Sequence, residues 1–174
     1  MISVDLPMDQ SVTVLVQNED ELSRKERRNH TVIIVKADRI SNSAIKQGVD
    51  GIRLTNTTHI NKRIINVCKE KTVFIQVDFG DYERNRLEFC TMMRKLREHR
   101  AWRVLVCSFG SNLVHSEAEV MGILAGFGFS RRNSLKVVEN STKMIRLGII
   151  KQNGTNGRVI DVTDKAWIEK WLYR

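Results

Sequence analysis

The chain is poor in cysteine, in proline and in long apolar runs, and each shortage argues against a class of protein. Three cysteines without a CxxC spacing predict neither a disulfide framework nor a thiolate metal site. Cys68, Cys90 and Cys107 are therefore expected to be buried free thiols. The longest apolar runs, such as Val12 to Val16, are too short to span a bilayer, and the first residues do not resemble a signal peptide. We expect a soluble, cytoplasmic protein with no membrane partner.

Motifs that carry chemistry are also missing. The four histidines form no HxH or HExxH pair, and the chain contains no GxSxG elbow, Walker loop or GxGxxG. Barrel enzymes place their active sites at the C-terminal ends of strands. The polar residues expected there are Asp38, Asp78, Ser108 and Glu139. Without a convergent set of histidines and carboxylates, these residues predict no catalytic group, no metal site and no cofactor in this chain.

Positive charge is abundant and unevenly distributed. The net charge is +9, yet residues 1–22 contain five acids and no Lys or Arg, so all 29 basic residues lie in the rest of the chain. Such a field attracts a polyanion and binds phosphates in a salt-dependent way. A merely soluble basic surface is the alternative that charge alone leaves open.

Short β-branched runs alternate with helical stretches along the chain. The runs are too short for helices and are apolar nearly throughout, so they predict strands that are covered on both faces. The predicted strands are Ile2–Leu6, Val12–Val16, Val32–Val35, Gly51–Leu54, Val73–Phe79, Arg103–Ser108 and Leu135–Val138. The predicted helices are Ser41–Gly48, Ile60–Lys71, Tyr82–Arg100 and Ser116–Ala125, the last begun by a Ser116/Glu119 capping box. A short helix near the C-terminus should follow a turn at Gln152–Gly157 and a strand at Val159–Val162.

Repeated strand–helix alternation predicts an α/β fold with mostly parallel strands. With 174 residues the chain is shorter than a full eightfold barrel, which usually needs about 250 residues. We therefore predict a compact or trimmed TIM-like (βα) barrel, with a doubly wound sheet as the alternative. No linker or repeat divides the chain, so residues 1–174 are expected to form a single α/β-barrel domain.

The long predicted helix carries both an apolar stripe and a basic surface. Leu87, Phe89, Cys90, Met93 and Leu96 recur at helical spacing and should face the core. Ion pairs Arg84–Glu88 and Arg94–Glu98 at i,i+4 would compensate only two of the basic groups. Few aromatic residues lie among these basic residues. This favours contact with the backbone of structured RNA over stacking on its nucleobases. The predicted phosphate-facing residues are Arg84, Arg86, Arg94, Lys95, Arg97, Arg100, Arg131, Arg132 and Lys136.

Several segments, in order, resemble the ribonuclease P protein component 3 family. "HTVIIVKAD" is similar to the third strand of that family, and "KQGVDGIRL" to the strand that begins with Val-Asp. "YERNRLEFCTMMRKLREHRAWRVLVCS" resembles the long Arg-rich helix and the strand after it. "EAEVMGILAGFGFS" and "VVENSTKMI" resemble the two segments that follow. Together they cover about two thirds of the chain, from residue 30 to residue 147.

The resemblance implies a TIM-barrel protein subunit of an archaeal-type ribonuclease P. Such a subunit binds the ribonuclease P RNA and a small partner protein, and supports removal of the 5′ leader from precursor tRNA. In that family the RNA performs the cleavage with magnesium, so the protein alone is expected to have no activity. A divergent metal-dependent phosphoesterase barrel and a small-molecule-binding barrel are the alternatives.

Overall fold

The strands of the protein form one sheet in which every neighbouring pair is parallel. The structure, a computed structural model, describes residues 14–18, 31–37, 48–54, 60–109 and 116–155. Within these ranges the strands run in sequence order across the sheet, each hydrogen-bonded to the next. The strands are β1 Val14–Asn18, β2 Val32–Ala37, β3 Gly51–Leu54, β4 Phe74–Asp78 and β5 Leu105–Ser108. Sequential parallel order is the arrangement of a (βα) barrel wall, so the predicted compact, trimmed (βα) fold is confirmed.

Most described helices start at a side chain that caps their first turn. The side chain of Asn61 accepts a hydrogen bond from the Ile64 amide, and that of Asn85 from the Glu88 amide. The predicted capping box of Ser116 and Glu119 is present, with both reciprocal bonds formed. The helices are α1 Lys62–Lys71, α2 Gly80–Arg84, α3 Arg86–Glu98, α4 Glu117–Gly126 and α5 Arg131–Thr155, with a 3₁₀ turn at Ala101–Arg103.

The two faces of the sheet pack against different sets of helical residues. One face presents alternate strand residues such as Ile33, Ile75 and Leu105, and these pack in the main core with apolar residues of α1, α3 and α4 and with Val137 near the start of α5. The other face presents Val32, Ile34, Phe74 and Val106, which pack with Met144, Ile145 and Leu147 of α5. Because both faces are covered, the strands are apolar in both side-chain directions, as parallel sheets generally are.

Helix α5 is fastened to the ends at which β2 and β3 begin. The carboxylate of Asp50 is 1% exposed; it accepts hydrogen bonds from the Ile33 amide and from the Lys151 ammonium, both at 2.9 Å. Thr31 Oγ1 donates to Gln152 Oε1 at 3.2 Å. A β-carbon on Gly148 would overlap the carbonyl oxygen of Thr31, so only glycine permits this approach. Helix α5 thus closes the N-terminal end of the sheet.

Two sequence-based predictions about the elements are wrong, and a third needs adjustment. Leu135–Val138 is part of α5 and not a seventh strand, because Ser134, Val137 and Val138 are buried at helical spacing while Leu135 is 43% exposed. The predicted turn at Gln152–Gly157 is helical as far as Thr155. The predicted helix Tyr82–Arg100 is interrupted at Asn85, which ends α2 and caps α3.

Other predictions fall on residues outside the described ranges. These are the strands Ile2–Leu6 and Val159–Val162, the helix before Gly48 and the helix near the C-terminus. Gly48 itself is described and has φ +76°, the left-handed conformation expected of a glycine that ends a helix. Among the described helices, none is both long and apolar enough to cross a membrane.

Candidate nucleic-acid interface

Helix α3 divides its residues between the core and solvent, although not entirely as its sequence predicts. Phe89, Met93 and Leu96 are buried as expected, together with Met92. Leu87, predicted to be in the apolar stripe, is 81% exposed, and Cys90 is exposed too. Residue 87 lies about 200° from Phe89 around a helix with 3.6 residues per turn, so it points away from the sheet. The surface of α3 therefore combines arginines with an exposed leucine and thiol.

Arg84 at the end of α2 and Arg86 at the start of α3 make local contacts and are exposed. Arg84 is 3.5 Å from the carboxylate of Asp81, and its side chain is 81% exposed. This pair replaces the predicted Arg84–Glu88 pair, because the helix break at Asn85 engages Glu88 in capping. The guanidinium carbon of Arg86 is 5.2 Å from the centre of the Tyr82 ring, a cation–π contact.

Farther along α3, Arg94 and Arg97 differ in their surroundings. The predicted Arg94–Glu98 pair is present at 3.9 Å, with both side chains more than half exposed. Such an exposed pair contributes at most about 1 kcal/mol, so Arg94 remains available to another anion. Arg97 instead donates to the carbonyl oxygen of Phe127 at 3.4 Å and lies against Gly128. Arg97 therefore joins α3 to the turn after α4, and it is less free than the sequence suggests.

This contact joins α3 to the turn that precedes α5. Arg131 and Arg132 are exposed in the first turn of α5, just after the turn that Arg97 contacts. The first turn contains no acidic residue, so its positive charge adds to that of the helix dipole. Arg94 and Arg97 precede this contact, and Arg131 and Arg132 follow it; these four residues form the candidate basic surface. Lys95 and Lys136 are half-buried, and Arg100 is exposed beyond the end of α3.

Three described charged residues at the C-terminal ends of β3 and β4 pair with one another. Arg53 on β3 donates to Asp78 at 2.8 Å and to Asp81 at 2.9 Å. Asp78 also accepts a hydrogen bond from the Gly80 amide at 2.9 Å. The carboxylate predicted as a possible active-site group thus has a structural role. Glu139, the other such carboxylate in the described ranges, lies on α5 and pairs with Lys143 at 3.4 Å.

Nucleophiles and metal ligands are sparse in the described part of the chain. Burial raises the pKa of Cys68 and of Cys107 to about 12, so neither thiol ionises near neutral pH. Ser108 Oγ and Gln76 Oε1 are buried without a hydrogen-bond partner among the described residues. No group of three or more His, Cys, Asp or Glu within the described ranges could hold a metal ion.

A second basic group, which no sequence motif predicts, lies at the N-terminal ends of β4 and β5. Lys69 at the end of α1, Arg103 before β5 and Lys143 on α5 line one cleft. They are far apart in the chain, and Lys143 was expected to follow a strand, so no local motif could have grouped them. Their proximity follows from α5 crossing the N-terminal ends of the strands.

These observations define a parallel (βα) protein with extended basic surfaces. Its fold is similar to that of a chain in a solved structure described as a cryo-EM structure of archaeal ribonuclease P with mature tRNA, with a TM-score of 0.54. The alignment covers 81% of this chain and 83% of that chain, at 13% sequence identity. No protein-family model matches the sequence, and no curated protein matches it. The similarity to the solved structure shows a shared fold.

Proposed function

We propose that the protein is a subunit of ribonuclease P that binds RNA and supports 5′-leader removal from precursor tRNA. The observation that carries the proposal is the similarity of fold, over four fifths of both chains, to a chain of archaeal ribonuclease P. The ordered motifs between residues 30 and 147 resemble the component 3 family of the same enzyme. Fold similarity and motif order point to the same assembly.

In this proposal the protein is a scaffold without catalytic residues. The catalytic RNA and its magnesium would perform cleavage, and a small protein subunit would be the partner within the assembly. The basic surface of α3 and the first turn of α5 would contact phosphates through exposed groups that include Arg94, Arg131 and Arg132. Arginine suits this task because its planar guanidinium can donate two parallel hydrogen bonds to phosphate oxygens.

The first experiment is purification of the protein from its native cell and identification of the RNA and proteins that accompany it. Ribonuclease P RNA and a small ribonuclease P protein are expected. Reconstituted enzyme should then remove leaders faster with this chain than without it, while the chain alone should cleave nothing. Leader cleavage by the RNA-free protein would contradict the scaffold role and favour a phosphoesterase. Recovery of a small molecule without RNA would contradict the proposal altogether.

A matched pair of variants tests the basic surface. Arg94→Gln/Arg132→Gln removes two exposed cations from it, whereas Lys36→Gln/Arg63→Gln removes two exposed cations near the C-terminal ends of the strands. Both variants should fold, because exposed charges contribute little to stability. The first should weaken RNA binding more than the second, and should lower the slope of log affinity against log salt by about 0.7–0.9 for each phosphate that it no longer binds. Equal effects would show non-specific attraction only.

A further inference from the structure

A cleft of about 560 Å³ lies at the N-terminal ends of β4 and β5. Its walls come from three elements: the end of α1, the 3₁₀ turn before β5 and the middle of α5. The cations Lys69, Arg103 and Lys143 line it together with Phe74, Asn140 and Leu147. A volume in this range accommodates a ligand as large as a nucleotide.

The charges that face this cleft are mostly of one sign. Among the described residues, Glu139 is the one carboxylate that pairs with a cation of the cleft, and its Oε2 lies 3.4 Å from the Lys143 ammonium. Lys69 donates to the carbonyl oxygen of His99 at 3.5 Å, a long contact with the end of α3. Desolvation, followed by repulsion from Arg103, Arg100 and Lys62, lowers the pKa of Lys69. A cation whose neighbours repel it would be stabilised by a bound anion.

The base of the cleft is apolar and firmly held. Phe74 is 3% exposed and packs with Leu147 in the core under α5. The side-chain amide of Asn140 donates to the carbonyl oxygens of Trp102 and Leu105, at 2.9 and 2.8 Å, so α5 is fixed against the turn that carries Arg103. Apolar surroundings strengthen the attraction between a cation and an anion, because water screens the charges less.

Helix capping accounts for part of this arrangement but not for the whole of it. The contact between Lys69 and the end of α3 is capping, and Lys143 forms an ordinary i,i+4 pair with Glu139. Neither explains why Arg103 faces the same concave surface. Three cations around one cleft with a single carboxylate leave an excess of positive charge that a dianion or a backbone phosphate would compensate.

We propose that this cleft binds a phosphodiester of the RNA backbone, at a second contact point separate from the basic surface of α3. The choice of RNA as the source of the phosphate rests on the proposed function. The phosphate would lie between Arg103 and Lys143, with Lys69 nearby. RNA would then contact both the α3 surface and the N-terminal end of the sheet.

Arg103→Gln/Lys143→Gln is the test variant, and Lys36→Gln/Arg63→Gln, at the other end of the sheet, is the control. Affinity for the ribonuclease P RNA that copurifies with the protein is measured over a range of salt concentrations. The cleft variant should bind roughly tenfold more weakly at low salt, and its salt slope should fall by about 0.7–0.9, because the cleft no longer neutralises a phosphate. The control variant should show smaller decreases in both the RNA affinity and the salt slope. Thermal unfolding of both variants confirms that they are folded.

A titration with inorganic phosphate separates the two proposals. If RNA binds the wild type, but the cleft variant matches the control in affinity and slope, the cleft proposal is wrong and the proposed function stands. If no RNA binds, the proposed function fails. Phosphate-induced shifts of the Asn140 side-chain amide in NMR spectra, absent from the cleft variant, would then still support a phosphate site for a free phosphate ligand. Absence of both RNA binding and phosphate shifts would overturn the cleft proposal as well.

Lysine acylation gives a further measurement that does not depend on a substitution. Lys69 and Lys143 should be protected from an amine-reactive reagent when RNA is bound, while Lys36 should keep its reactivity. Protection must disappear at high salt if a phosphate is responsible. Unchanged reactivity of Lys69 and Lys143 in the complex would contradict the proposal, since a bound phosphate would cover both ammonium groups.

Discussion

At the C-terminal ends of the strands Arg53 lies between two carboxylates, whereas at the N-terminal ends three cations share one cleft with a single carboxylate. Barrel enzymes use the first location for chemistry. Here the described groups at that location compensate one another, and they hold β3 to the turn after β4. The uncompensated charge lies at the other end, which α5 covers. In barrel enzymes the C-terminal ends of the strands contain the active site. In this protein the described residues at those ends make ion pairs that stabilise the structure.

The strongest difference between the two ends should appear when a carboxylate is removed. Asp50→Ala removes the buried carboxylate that accepts from the Ile33 amide and from the Lys151 ammonium, and should lower the free energy of unfolding by about 3–5 kcal/mol. Asp78→Ala should lower it by only ~1–2 kcal/mol, because Arg53 retains its pair with Asp81. Urea unfolding measures both. A larger loss for Asp78→Ala would reverse our ranking of the two ends.

A pair of glycine substitutions tests how closely α5 must approach the sheet. Gly148→Ala should lower the free energy of unfolding by about 1–3 kcal/mol, since the added methyl group overlaps the Thr31 carbonyl. Gly122→Ala on α4 meets no atom within 4 Å and should raise it by ~0.5–1 kcal/mol through helix propensity. Thermal unfolding of the two variants should move in opposite directions. Equal, small shifts would mean that α5 can move away from β2 easily.

Arg100 allows charge near the cleft to be removed with little strain. Its φ of +57° is a left-handed conformation that glycine adopts readily, so Arg100→Gly should raise the free energy of unfolding by about 0.5–1 kcal/mol. The same change at Arg94, inside α3, should lower it by ~1 kcal/mol. If Arg100 takes part in phosphate binding, the stabilised variant should nevertheless bind RNA more weakly. If Arg100→Gly is more stable and binds RNA as tightly as the wild type, then Arg100 serves only to terminate α3.

The smallest expected effect is a pH dependence from Lys69. Its pKa in the folded protein lies below the ordinary value of 10.5, so protonation of Lys69 opposes folding. This penalty on the free energy of unfolding is fully present at pH values below the pKa of Lys69 in the folded protein. It is relieved as pH rises from that pKa towards 10.5, because over this interval Lys69 loses its proton in the folded protein but keeps it in the unfolded chain. Stability should therefore gain a small positive contribution over that interval in the wild type. Lys69→Met should remove this contribution from a denaturant–pH series, and Arg100→Gly should reduce it.

Local patterns were sufficient for elements whose ends carry their own signals. The capping box at Ser116, the strand Gly51–Leu54 and the left-handed Gly48 could all be predicted from neighbouring residues. The segment Leu135–Val138 could not, because a short run with two valines suits either a buried strand or a buried helix. Its helical state follows from the burial of Ser134, Val137 and Asn140 against distant parts of the chain.

The binding surfaces were predictable only in part, and for a related reason. Arginines on α3 could be grouped because they lie within one helix, although the contact between Arg97 and Phe127 depends on tertiary packing. Leu87 is exposed because it lies about 200° from Phe89 around α3, an offset that the sequence alone already implies for residues of one helix. The cleft of Lys69, Arg103 and Lys143 needs three elements in one place, so no spacing in the sequence reveals it.

Helix α5 also determines the order in which the protein can be completed during synthesis. Each strand pairs with the one made just before it, so the sheet can assemble progressively as the chain leaves the ribosome. The contacts that fasten α5, by contrast, join residues 101 and 121 positions apart in the chain. Until α5 has been synthesised, the contact between Asp50 and Lys151 cannot form, and the apolar residues of β2 and β4 that face α5 stay uncovered. A chain truncated before residue 151 should therefore be a prime substrate for chaperones, and release of the nascent chain from them should coincide with the emergence of α5.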